Sequence, residues 1–200
     1  MKAYEQLPTA VEIDGIQYPF DASFKVMLLC FDISQSEEMD EGEKLIAIYD
    51  CLFTKKAKFR ARKKDALFKV DLVNKAFKLL IEKSSKADNK KVLDFEGDFK
   101  YIYAGFMQCY GIDLFSSNLH WWQFISLLNG MSGNTRLMQI IDIRQRPIPE
   151  PTKYNAEARA QLIKLKAEFA VKMTQEEREQ QFQQSLNSLF DKLVGMAEKR

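Results

Sequence analysis

One histidine, three cysteines and eight glycines leave this chain of 200 residues short of the groups from which enzymes assemble sites. Because His120 stands alone, a Ser-His-Asp or Cys-His arrangement would have to rest on that one ring. No glycine pattern matches a phosphate-cradling loop or a dinucleotide turn, and Cys-x-x-Cys is missing. The sequence therefore points to a non-enzymatic protein without metal or organic cofactor. Cys30, Cys51 and Cys109 are odd in number and lie among apolar residues, the setting of reduced, buried thiols and not of a disulfide framework or zinc site. No run approaches the roughly 18 uninterrupted apolar residues of a membrane helix, and the opening MKAYEQLPTAVEIDG has no apolar signal core. A soluble, unexported protein with no membrane partner is expected. Nor does one sign of charge dominate: 30 basic and 28 acidic residues give a net +2, which by itself implies neither a nucleic-acid nor a membrane partner.

What the chain does have is 46% hydrophobic side chains, enough for a core in one domain or in one domain plus an appendage. Aromatic residues concentrate between Asp94 and Met131, which holds both tryptophans. Phe99, Ile102, Tyr103, Phe106 and Tyr110 recur at spacings of three and four, predicting a helix that Gly111 closes. A second helix is predicted to start near Ser116 or Ser117 and to run through Leu119, Trp122, Ile125 and Leu128, with Trp121, Phe124 and Leu127 on its other faces. Apolar on every side, it should be the central helix of a bundle. His120 beside the tryptophans reads as a hydrogen-bonded core residue. Asp94, Glu96 and Asp98 stand where the first helix begins, and capping accounts for them.

Upstream, Val11 and Ile13, then Ile16 and Tyr18, alternate with polar residues around Asp14-Gly15, the strongest short hairpin signal. So small a ribbon should lean on the helices or pair with a strand of another chain. Asp21 or Ser23 caps the next helix, with Phe24, Met27, Leu28 and Phe31 on one face. Another, from about Glu41 to Phe53, has acids in its first turn and Leu45, Ile48, Tyr49 and Leu52 inward. KKAKFRARKK, from Lys55 to Lys64, then places seven basic residues in ten. Its Lys55, Lys56, Arg60 and Arg62 are candidate contacts for phosphates or an acidic partner; the alternative is a solvated connection offsetting the acidic turn nearby. A helix from about Asp65 to Lys83 is predicted to bury Leu67, Val70, Val73, Phe77 and Leu80.

Downstream, a short helix is predicted over Thr135 to Arg144. RQRPIPEP, from Arg144 to Pro151, gathers three of the chain's five prolines into five residues, which demands an extended, stiff connector. Tyr154, Ala158, Leu162, Leu165 and Phe169 then mark a helix from about Asn155 to Met173. Thr174 and Glu177 cap another, with a seam of Phe182, Leu186, Leu189, Leu193 and Val194. Narrow seams on polar helices can pair with each other, with the bundle, or with a helix of another chain. The expectation is a mainly α fold: a small N-terminal β-hairpin plus helical bundle over 1–145, a proline-rich connector over 146–152, and a C-terminal pair of long amphipathic helices over 153–200.

The run DFEGDFKYIYAGFMQCYGIDL, followed by LHWWQFISLLNGM and RLMQIIDIR, resembles the bacteriophage gp-fifteen family of tailed phages and prophages of Gram-positive bacteria. Tyr101, Tyr103, Phe106, Tyr110 and Gly111 carry the match in the first segment, and His120, Trp121, Trp122 and Phe124 in the second; it covers about residues 1–150. In similar phages the corresponding gene lies between those of the major tail protein and the tape measure protein, the position of tail assembly chaperones. The resemblance thus implies a chaperone in the host bacterial cytoplasm that binds the tape measure protein, helps recruit the major tail protein and self-associates, with no catalytic residues to carry over. Phe182, Leu186, Leu189 and Leu193 become the candidate partner-binding seam. A permanent virion component, such as a minor tail or head-tail connector protein, is the alternative; a nucleic-acid-binding protein using Lys55 to Lys64 is the second.

Overall fold

Residues 6–81 and 92–171 are described by the computed structural model. Two strands and eight helices lie among them, a mainly α fold with the hairpin at its N-terminal end. β1 (Ala10–Ile13) and β2 (Ile16–Pro19) run antiparallel, with Ala10 opposite Pro19 and Ile13 opposite Ile16. The turn holds Asp14 at φ 51° and Gly15 at φ 72°, the paired left-handed residues whose twist matches that of the strands. Alternation along this register sends Val11 and Tyr18 into the core.

The described residues divide into two compact units, one of residues 6–81 and 100–139, the other of 92–99 and 140–171. To the first belong α1 (Phe24–Ser34), α2 (Glu41–Leu52), α3 (Lys55–Ala61), α4 (Ala66–Leu80), α6 (Trp121–Asn129) and all but the first residue of α5 (Phe99–Tyr110). There α1 packs on α2, α2 on α4, and the hairpin rests on α3 and α4 of its own chain. Main-chain bonds fasten that junction: the Asp21 amide donates to the Leu52 carbonyl at 2.8 Å and the Thr54 amide to the Pro19 carbonyl at 3.2 Å.

Several helices start where side chains satisfy free amides. Asp40 and Glu43 form a reciprocal capping box at α2, and Thr54 and Asp65 cap α3 and α4. The basic run is thus largely a short helix, Lys55–Ala61, and most of its side chains are exposed. Its buried residues are Ala57 and Ala61, small enough to let the backbone lie close to its neighbours. On α4 the inward face is Leu72, Val73, Ala76 and Leu80, whereas Leu67, expected inside, is 77% exposed. Phe68 takes the contact instead, edge-on to Tyr18 with ring centroids 5.5 Å apart, and so rotates Leu67 outward. The second aromatic helix also starts later than Ser116 or Ser117. Residues 113–117 form a turn in which the Phe115 amide donates to Asp113 Oδ1 and the Ser117 amide to the Asp113 carbonyl, both at 2.9 Å. α6 begins at Trp121, and Gln123, Ser126 and Asn129 give it a wet face. It is amphipathic and not enclosed on every side.

The second unit contains residues 92–99, the end of α7 (Arg136–Gln145) and α8 (Ala156–Glu168). Of the stripe expected on α8, Leu162 and Phe169 are buried, while Ala158 and Leu165 face outward and Tyr154, in the turn before the helix, is 92% exposed. The proline-rich run, residues 147–151, has no regular secondary structure and is exposed, and it is pinned to the start of α8. Asn155 Nδ2 donates to the Glu150 carbonyl at 2.9 Å and Arg159 Nε to that of Pro149 at 3.2 Å. The cap at Thr174 and the seam from Phe182 to Val194 lie outside the described residues. No described helix is long and apolar enough to cross a membrane.

Candidate functional site: the aromatic column and the basic helix

Of the aromatic motif, Phe106, Trp121 and Phe124 meet in one stack, with Tyr110 at its edge, whereas Tyr101, Tyr103, His120 and Trp122 have other partners. Phe124 of α6 lies between Phe24 of α1, at 4.7 Å and 10°, and Phe106 of α5, at 5.2 Å and 8°. Trp121 continues it, 5.7 Å from Phe124 and 5.6 Å from Phe31. Three helices are thereby held by rings that are almost wholly out of water, each worth about 1.5–3 kcal/mol of burial. Tyr110 sets its edge against Phe106 at 5.8 Å, and its hydroxyl donates to the Leu127 carbonyl at 2.7 Å. Tyr103 meets Phe115 at 5.2 Å, and the Lys100 ammonium lies over the ring of half-buried Tyr101 at 4.8 Å. Gly111 has φ 64° and open space around it, so the backbone and not crowding demands glycine there. Gly105 is the opposite case, since a Cβ on it would collide with Met131 Sδ. Sequence spacing does not single it out; a lone glycine within an aromatic helix is the available signal.

His120 proves to be a helix cap. Its Nδ1 accepts from the Trp122 amide at 3.1 Å, while Nε2 donates to the Pro8 carbonyl at 3.0 Å, which selects the neutral Nε2–H tautomer. Gln123 completes the box through Oε1, accepting from the His120 amide at 3.0 Å. Around it the entries to α1 and α6 pair: the Trp121 amide donates to the Ala22 carbonyl at 2.7 Å, and the Phe24 amide to that of Leu119 at 3.0 Å. Trp122 is half-buried, its Nε1 donating to the Leu80 carbonyl at the end of α4 at 2.8 Å.

The basic run is divided by the fold. Lys58 pairs with Asp50 at 3.0 Å, Arg60 donates to the Gln17 carbonyl of β2, Arg62 lies 4.0 Å over the Phe59 ring and Lys64 5.0 Å over that of Phe68. Lys55 and Lys56, on the first turn of α3, are exposed and make no ion pair among the described residues. Of the four basic candidates, Arg60 and Arg62 are thus engaged by the protein itself. The structure also exposes apolar side chains that sequence periodicity does not select: Phe59 at 64%, Ile46 at 62% and Phe115 at 70%, in addition to Leu67.

In the second unit the Asp98 carboxylate accepts from the Asp94 amide at 3.0 Å in the turn before α5 and also serves an ion pair. It is 2% exposed and takes the Arg144 guanidinium on both oxygens, at 2.5 and 2.8 Å. Arg144 also donates to the carbonyls of Val92, at 2.9 Å, and Phe169, at 2.6 Å, while Lys166 Nζ donates to the Arg144 carbonyl at 2.7 Å. One guanidinium thereby ties together the turn before α5, the end of α7 and the end of α8.

Comparison with curated proteins and with solved structures found no match. A family model does match, and the matched residues reach past the proline-rich run through α8, further than the aromatic motif alone suggested. With residues 3–171 covered, the chain belongs to the family described as Bacteriophage Gp15 protein.

Proposed function

We propose that this protein is a non-enzymatic tail assembly chaperone that binds the tape measure protein in the host cytoplasm and associates with copies of itself. Family membership supports the coarser statement, a phage structural or morphogenesis protein. The observation that carries the step to a binding protein is the set of large apolar side chains left in water on well-capped helices: Ile46, Phe59 and Leu67 are each more than half exposed. An extended, largely helical client would offer anchors at spacings of three and four to such a surface. His120, whose two ring nitrogens are engaged in capping and in the contact to Pro8, serves the fold, which favours a role without catalysis.

Co-expression with the tape measure protein tests the reading. Phe59→Ser with Leu67→Ser, and separately Ser at Phe182, Leu186, Leu189 and Leu193, are expected to reduce co-purification and shift the oligomer to smaller size. If neither set changed either readout, the binding surface would have been assigned wrongly. Mass spectrometry of purified particles addresses the role itself: a chaperone is absent from them, whereas a fixed copy number would make the protein a minor tail or connector subunit.

A further inference from the structure

We propose that Cys30 and Cys51 are a dithiol that low-molecular-weight disulfides oxidise to an intramolecular disulfide, with Cys51 as the attacking sulfur and Cys30 as the resolving one. The two thiols come from neighbouring helices, Cys30 from α1 and Cys51 from the last turn of α2, and their Sγ atoms lie 3.4 Å apart. A disulfide needs about 2.05 Å, so the sulfurs have to close by about 1.35 Å. Exposure separates their roles. Cys30 has no accessible surface and no external reagent can reach it; Cys51 is half-buried.

Hydrogen bonding separates them further. Cys51 Sγ lies 3.3 Å from the Ile48 carbonyl, to which its own thiol donates, leaving its lone pairs to accept from Cys30. This bond, with burial, pushes the Cys30 thiol far up, and the same bond draws Cys51 below the usual thiol range, helped by the Lys58 ammonium against the opposing effect of burial. The cysteine that is not fully buried is also the one more readily ionised.

The exchange balances. Cys51 thiolate attacks one sulfur of oxidised glutathione, forming a mixed disulfide and releasing one glutathione thiolate; Cys30 then loses its proton and attacks Cys51 Sγ, releasing the second. Two protein thiols become one disulfide, and oxidised glutathione becomes two thiols. The product would staple α1 to α2.

The test is incubation of the folded full chain with oxidised glutathione, on wild type and on Cys109→Ser, read by intact mass and by non-reducing peptide mapping. Expected are a species two hydrogens lighter and a crosslinked pair of peptides containing Cys30 and Cys51. In Cys30→Ala the reaction should stop at a glutathionyl adduct on Cys51, and in Cys51→Ala Cys30 should stay unmodified. A stable adduct on Cys51 of the wild type with Cys30 still reduced, or no reaction at either, would overturn the proposal. Peptide mapping of the wild type alone separates these outcomes even if a variant fails to fold.

Discussion

Asp98 and Arg144 form a two-pronged ion pair whose side chains retain 3% and 9% of their accessible surface. Two charges so far from water cost several kcal/mol each to desolvate, and the pair is tolerable because the remaining guanidinium donors reach the carbonyls of Val92 and Phe169. Its contribution lies less in net stability than in the penalty for breaking it.

Removing one partner leaves the other charge buried. Asp98→Asn and Arg144→Met are each expected to destabilise by about 3–5 kcal/mol in urea denaturation, and Arg144→Lys to fail as well because a single ammonium cannot span the same four acceptors. The double replacement Asp98→Leu with Arg144→Met should cost less than the sum of its parts. Additivity would show that the two groups do not act as a pair.

The aromatic column and the tryptophan hydrogen bond differ in magnitude. Phe124→Ala empties the middle of a stack and is expected to cost about 3–5 kcal/mol. Trp122→Phe keeps most of the ring but deprives the Leu80 carbonyl of its donor, an expected loss of about 1 kcal/mol. Urea midpoints measured side by side check the order.

His120→Ala removes the acceptor for the Trp122 amide and the donor to Pro8 together, with an expected loss of about 1–2 kcal/mol. His120→Asn retains a capping oxygen and should recover part of it. If the alanine and asparagine variants were equally unstable, capping would not be the operative interaction.

Asp113 supplies a pH signature. The Phe115 amide bonded to its carboxylate, and next the Ser116 hydroxyl, hold its pKa below the usual carboxylate range. A group whose folded pKa is depressed stabilises fully above its unfolded value and loses that contribution as pH falls through the folded one. Wild type should therefore be more stable than Asp113→Asn at neutral pH, and the difference should vanish in acid. A gap that persisted there would assign the effect to geometry and not to charge.

Much of the fold was legible because its signals are local. Asp14-Gly15 specifies a hairpin through two backbone angles, Asp40 and Glu43 sit three residues apart where a capping box needs them, and the spacing of Phe99 to Tyr110 marks a helix whatever lies beside it. The motif residues of the candidate site were legible in the same way, as a pattern of aromatics. Their arrangement was not. Helical periodicity says which side chains share a face but leaves the rotation of that face to its neighbours, and on α4 the contact between Tyr18 and Phe68 turned Leu67 into water.

By itself the sequence determined where the hairpin and most helices form, the aromatic composition of the core and the family, since each depends on residues within a few positions or on an unbroken motif. Only the tertiary structure decided that His120 reaches Pro8 across 112 positions, that Arg144 finds Asp98 across 46, and that Cys30 meets Cys51 across 21. Each of those pairs joins segments far apart in the chain, and no local backbone preference encodes which side chains tertiary packing will bring within 3.5 Å.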